Sequence, residues 1–435
     1  MKSILIAFAL MQAVEAPATN HPWTLQECTE WALEHNLTVA AQAATVEGRA
    51  IDKNTADMSW LPSVNASASE SWSFGRGIGG NNTYESGNSA STSFSLGANM
   101  NLFDGLATPR RIQLAKLNLE AATADLEKAR DDIRVQVAQA YVQILYNYEI
   151  ADVARQQLTI DSLQVARLEG MFANGKASAA EVSQQKASLA QSQVTLVQAE
   201  NSVRASLLAL AQLLELPEWE NFSVVRPMVE LEELYIGHPD DIYDEALGLR
   251  PEIRAEQLRL AGAAKQVQIA QASLMPSLSL SAGLGTNYYS TFGTQGFLDQ
   301  LSNNFSQYVG LSLSIPIFNR FATRNQVRSA RLQQSTQQIQ LRRTQQNLYK
   351  EIQTAWNGAV AARAKWEASR TASAAAQDAF ELMQAKYENG KATLTEFNET
   401  RNRLVKAQSD AIQATYEYLY QTRLVEFYRG GALVL

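Results

Sequence analysis

The chain of 435 residues is charged at 19% of its positions, below the ~25% of an ordinary soluble domain, and its net charge is -7. That balance offers no basic patch for a nucleic-acid backbone. The longest clean apolar run, Ile4 to Met11, is too short for a spanning helix, which needs roughly 17–25 residues. Three classes stay open: a soluble protein, a fibrous helical one, or a membrane protein made of strands.

Residues 1–16 read as a secretory signal, with Lys2 before the apolar stretch and Val14-Glu15-Ala16 as a small-residue cleavage site. A buried helix is the competing reading. The single cysteine, Cys28, precludes an internal disulfide. It reads as a packed thiol on a helix expected over 24–58. Thr24-Leu25-Gln26-Glu27 forms a capping box at the start of that helix, and Pro62 stops it.

Two segments of strict alternation follow, 64–74 and 92–102. In the second, Thr92, Phe94, Leu96, Ala98, Met100 and Leu102 alternate with Ser, Gly and Asn. Period two predicts strands, each with one greasy face and one small polar face. Residues 61–103 hold only Glu70, Arg76 and Glu85 as charges. A polar face of Ser, Gly and Asn without Lys suits a watery lumen, the other face meeting lipid. The lengths fit the ~9–11 residues that cross a bilayer. A long helix is expected over 106–173, where Leu119, Ala122, Leu126, Ala129 and Ile133 step by threes and fours. A returning helix carries the heptad Val182, Leu189, Leu196, Val203 and Leu210, with Gln185, Ser192 and Ala199 as thin companions. Asn174-Gly175 supplies the left-handed cap between the two, and Ser178 to Glu181 the next capping box.

The chain then repeats itself. Ser59-Trp60-Leu61-Pro62 matches Ser273-Leu274-Met275-Pro276 at an offset of 214, and Phe172 to Ala177 matches Tyr387 to Ala392 at 215. The second copy predicts a helix over 241–274, strands over 278–288 and 309–317, and a helix over 322–388. Its returning heptad is Phe397, Leu404, Ala411, Tyr418 and Val425. The expected division is a signal over 1–16, a first repeat over 17–216, a linker over 217–239 and a second repeat over 240–435. Four strands cannot close a barrel, for which about eight is the minimum. Lipid tolerates no open edge, so spanning strands would require copies sharing one barrel. The fold class is mainly α with a membrane β part.

Twinned Asn-Gly-Lys-Ala tips, two strand pairs and the 215-residue duplication resemble the TolC family of outer-membrane efflux channels over nearly the whole chain. The resemblance implies a homotrimer whose twelve strands form one barrel in outer-membrane lipid of a Gram-negative bacterium. An α-helical barrel would continue it into the periplasm. It also implies a periplasmic adaptor and an inner-membrane pump as partners, no cofactor, no metal and no catalysis. By resemblance Glu396 and Glu399, six and nine positions after Gly390, would ring the periplasmic entrance and raise some pKa values by mutual repulsion. Tyr387 and Glu181 would hold the entrance shut. The tips Asn174, Gly175, Lys176, Asn389, Gly390 and Lys391 would meet the adaptor. The chain departs from the pattern at Ala392, where some members carry a basic residue, Lys391 lying one position earlier. Glu396 has a second reading as the cap of Thr393.

Gly75 to Gly80 satisfies G-x-G-x-x-G, but no helix follows, so it reads as a loop. His21, His35 and His238 are dispersed and suggest no metal site or triad. The alternative to a channel is a periplasmic coiled-coil adaptor or scaffold.

Overall fold

The computed structural model describes residues 21–78, 83–227, 237–290 and 296–433. The signal expected over 1–16 lies outside the described residues, as do the middle of the 217–239 linker and part of the glycine-rich loop.

Each copy opens on two helices rather than one. Helices α1 (Leu25–His35) and α2 (Leu37–Asp57) part at Asn36, where the backbone turns extended (φ -64°, ψ 129°). The Asn36 Oδ1 accepts from Thr38 N at 2.9 Å and its Nδ2 donates to Leu213 O at 3.0 Å, so the side chain replaces the helical ladder locally. Helices α5 (Pro239–Leu249) and α6 (Pro251–Ala272) part at Arg250 (φ -72°, ψ 125°). A residue before proline is pushed toward this extended state. The single helices expected over 24–58 and 241–274 are therefore corrected at equivalent positions. The capping box of α1 is as expected, with Thr24 N donating to Glu27 Oε2 at 2.7 Å and Glu27 N to Thr24 Oγ1 at 3.2 Å. Cys28 is fully buried, and burial pushes its thiol up to about 12.

Strands β1 (Ser63–Ser73), β4 (Ser89–Phe103), β5 (Ser277–Tyr289) and β6 (Ser306–Ser314) form one antiparallel sheet in the order β1-β4-β5-β6. Strands β2 (Arg76–Ile78) and β3 (Tyr84–Ser86) pair separately in the loop between β1 and β4. The register separates an aliphatic face from a small polar one, apart from Gln307 beside Leu284 on the first and Tyr308 beside Gly283 on the second. Ala66, Leu96 and Leu284 share a row, as do Val64, Ala98, Ala282 and Val309, and Met100, Leu280 and Leu311. On the other face Ser67 meets Ser95, Asn65 meets Gly97, and Asn99 meets Ser281. Ser67 and Ser69 bond across to Ser95 and Ser93 at 2.7 Å each. Strand β6 ends at Ser314, short of the expected 317, because Pro316 has no N–H to give the ladder. The second strand loop holds a short helix, α7 (Phe297–Asn303), that composition had not suggested.

Each strand pair leads into a helix of 67 residues, α3 (Ala107–Ala173) or α8 (Ala322–Glu388). Both joints turn on two consecutive left-handed residues: Gly105 and Leu106 (φ 68° each), and Arg320 and Phe321 (φ 55° and 63°). A Cβ on Gly105 would lie 2.5 Å from Ala272 O, so only glycine fits there. Asp104 caps α3, its Oδ2 accepting from Thr108 N at 2.9 Å. The returning helices α4 (Ala179–Leu213) and α9 (Leu394–Tyr428) have 35 residues each. On α4 the buried stripe is Val182, Gln185, Ser192, Ala199, Val203 and Leu210, small enough for Ala151 and Ala154 of α3 to pack close. Among the described residues no helix is long and apolar enough to cross a membrane.

The chain divides into two compact units. One takes the residues up to Ala44, Ala124–Ile253 and the residues from Arg343, and the other takes Thr45–Thr123 and Arg254–Arg342. The second unit contains the sheet, and the first contains both hairpin tips. Within the first unit the start of the linker is strapped down. Trp23 pairs with Val224 in a parallel bridge, and the Tyr141 hydroxyl donates to Val225 O at 2.7 Å.

Candidate entrance at the hairpin tips

The two tips are built alike. Helix α3 closes with Gly175 in the left-handed region (φ 71°), Gly175 N donating to Phe172 O at 2.9 Å and Lys176 N to Met171 O at 2.8 Å. Helix α8 closes with Gly390 (φ 70°), Gly390 N donating to Tyr387 O at 3.0 Å and Lys391 N to Lys386 O at 2.8 Å. These paired bonds satisfy carbonyls that a helix end leaves orphaned. Asn174 and Asn389 each donate Nδ2 back to the carbonyl four residues earlier at 2.7 Å. All six tip residues, Asn174 to Lys176 and Asn389 to Lys391, are exposed. Nothing stands within 4 Å of where a Cβ would sit on Gly175 or Gly390.

The carboxylates have definite partners. Glu181 accepts from Ser178 N and Oγ at 2.8 Å, and Glu396 accepts from Thr393 N and Oγ1 at 2.8 Å. Those bonds hold both carboxyls below the usual carboxylate range. The capping reading of Glu396 therefore holds, and within one chain its pKa moves opposite to the rise expected from a carboxylate ring. Glu399 is met by Arg403 one turn on, at 2.5 Å, with both side chains exposed.

Tyr387 is half-buried. Its ring stacks on Phe397 at 4.8 Å between centroids, and the Arg167 guanidinium lies 5.6 Å from the ring centre. It packs against Leu168, Val182 and Leu394, so residues of both hairpins surround it. Burial raises its phenol, Arg167 opposes that rise, and Glu181 adds to it. Among the described residues no hydrogen bond joins Tyr387 to Glu181.

Asp161 and Arg401, which the sequence did not single out, form the most buried ion pair near the tips, at 0% and 3% side-chain exposure. Asp161 lies on α3 and Arg401 on α9, so the pair ties the first hairpin to the second. The Asp161 carboxylate also accepts from Gln185 Nε2 at 2.9 Å, Gln157 Nε2 at 2.9 Å and Ser192 Oγ at 2.5 Å. Arg401 donates to Ser188 Oγ at 3.1 Å. Burial lowers the Arg401 pKa while Asp161 works to raise it. The one sequence signal was that Gln185 and Ser192 occupy the apolar seam. Polar side chains there need a buried partner.

A family model described as outer membrane efflux protein matches residues 29–215 and again 242–428. The chain is 28% identical, over 304 residues, to the pyoverdine export outer membrane protein OpmQ of Pseudomonas aeruginosa. That match covers 68% of this chain and 60% of the relative, so the chain spans less than two thirds of that protein's length. Among solved structures, the outer membrane protein VceC of Vibrio cholerae is similar with a TM-score of 0.77 at 24% identity, over 94% of this chain and 96% of that one. The CmeC outer membrane channel of Campylobacter jejuni is similar with a TM-score of 0.81 at 20% identity, over 97% and 91%. At these identities the two structures speak for the fold.

Proposed function

Because the chain belongs to the outer membrane efflux protein family, we propose that it is the passive exit duct of a tripartite efflux or type I secretion system. It is an outer-membrane protein and not an enzyme. The adaptor or scaffold reading falls away with the family assignment.

The observation that carries the duct reading is the sheet. It has one mainly aliphatic face and one mainly of Ser, Gly and Asn, and among the described residues β1 and β6 each pair on one side only. Such edges are incompatible with lipid unless other strands cover them. Three copies would supply twelve strands, an even number within the range of outer-membrane barrels. The polar faces would then line a lumen. The repeats are taken as 17–216 and 240–435, with 217–239 as the linker. In this assembly the exposed Asn-Gly-Lys tips would meet a periplasmic adaptor, whose side chains can approach the glycines closely. An inner-membrane pump would supply the energy.

Three protomers would bring Glu396 and Glu399 to the entrance as six carboxylates. Arg403 offsets part of the charge of Glu399, while Glu396 and its counterpart Glu181 on the first tip add further negative potential. Glutamine serves in a capping box as glutamate does, so Glu396→Gln keeps the tip folded while removing its charge. Planar-bilayer recordings check this reading. The wild type is expected to conduct with a preference for cations, and the variant with Glu396→Gln and Glu399→Gln to lose much of that preference. An unchanged preference would remove the carboxylates as the selectivity element, and absence of conductance would remove the duct.

A further inference from the structure

We propose that helix α7 is an interfacial anchor that lies against the outer leaflet of the membrane, at the boundary between headgroups and acyl chains. The inference rests on reading the sheet as part of a lipid-embedded barrel. It adds a lipid-contacting surface outside the strands.

The side of the sheet on which α7 packs decides the matter. Even-numbered residues of β5, Leu280, Ala282 and Leu284, belong to the aliphatic face, and Gly283, Gly285 and Asn287 to the polar one. Helix α7 engages even-numbered side chains. Thr286 Oγ1 donates to Leu301 O at 2.6 Å, and the Tyr288 ring meets Phe297 edge-on at 5.0 Å between centroids. A lid over the lumen would instead lean on the polar face.

The edge of β5 points the same way. Strand β6 begins at Ser306, opposite Gly285, so it does not pair with residues 286–289 of β5. Side chains of the α7 segment take over there. Gln300 Oε1 accepts from Tyr289 N at 3.0 Å, Gln300 Nε2 donates to Tyr289 O at 3.2 Å, and Asn304 Nδ2 donates to Asn287 O at 2.8 Å. A backbone edge facing water needs no such cover, whereas one at membrane depth does.

The depth follows from the neighbouring row. Glu70, Thr92 and Tyr288 lie side by side, and Thr92 donates its hydroxyl to the Glu70 carboxylate. A carboxylate on the aliphatic face marks where hydrocarbon gives way to headgroups. Trp72, one row further, and Tyr288 are the aromatic types that gather at that level. On α7 itself Phe297, Leu298 and Leu301 fall within one third of the helix circumference, while Asp299 and Asn303 lie opposite. Leu298 is 77% exposed and Phe305, just after the helix, is 57% exposed. These side chains continue the aliphatic face of the sheet beyond the start of β6 at Ser306.

The test uses nitroxide spin labels on single introduced cysteines, in protein reconstituted into phospholipid vesicles. Native Cys28 is fully buried and its thiol is pushed up to about 12, so it will not compete for label. Labels are placed at Leu298→Cys, at Leu284→Cys on the aliphatic face and at Ser95→Cys on the polar face. The ratio of collisions with oxygen to collisions with a water-soluble nickel chelate is expected to be several-fold higher at 298 than at 95. It should be lower at 298 than at 284. If 298 behaves like 95 while 284 remains lipid-exposed, the anchor is wrong and the barrel stands. If 284 is also water-exposed, the barrel reading fails and the anchor with it.

Discussion

Replacing Arg401 with methionine is expected to loosen the two hairpins at their tips by about 3–5 kcal/mol, the cost of leaving one member of a buried ion pair without its partner. Asp161 would keep Gln157, Gln185 and Ser192 as donors but lose its counter-charge in a site with no exposure. Hydrogen exchange across residues 157–168 and 397–404 reads the effect, with protection expected to fall in both stretches together. Adding Asp161→Asn to Arg401→Met should restore part of the protection, because a neutral amide still offers Gln157, Gln185 and Ser192 an acceptor without leaving a buried charge unpaired. If the single variant left exchange unchanged, the pair would not be what ties the hairpins. The consequence for gating is geometric. Asp161 and Arg401 lie within one chain, so while this pair stays intact the two hairpins stay tied to each other at its level.

The second large effect is expected in the sheet. Leu284→Arg puts a cation on the aliphatic face beside Leu96, and near the bilayer midplane such a change costs about 2–4 kcal/mol. Ser279→Lys lies on the polar face between Asn101 and Ser312, where a lumen would hydrate the ammonium. Urea unfolding in vesicles is the measurement. Leu284→Arg should shift the midpoint well down and Ser279→Lys barely, whereas equal shifts would mean that both faces meet the same solvent.

Local rules made the tips readable. An Asn-Gly pair followed three residues later by Ser or Thr, and then by Glu, sets both the cap and the next start within eight residues. The strand faces were equally plain, because period-two alternation with Ser and Gly opposite Leu and Val fixes what faces what. The breaks at Asn36 and Arg250 were missed for different reasons. Pro251 announced the second, whereas the first depends on Asn36 reaching Leu213, far along the chain. Asp161 and Arg401 were out of reach because 240 residues separate them, and each alone looks like a solvated helix charge. Arg403, four residues after Glu399, was visible as an i,i+4 pair and changes what that carboxylate can do. Helix α7 was hidden in a loop whose Gly, Asn and Ser content outweighed its short apolar stripe.

The central claim is that four strands per chain become part of one barrel shared by copies of this chain. Sedimentation equilibrium of the protein extracted from outer membranes in detergent tests it most directly. A trimer that needs detergent to stay in solution is the predicted result. A monomer that stays soluble without detergent would contradict the account.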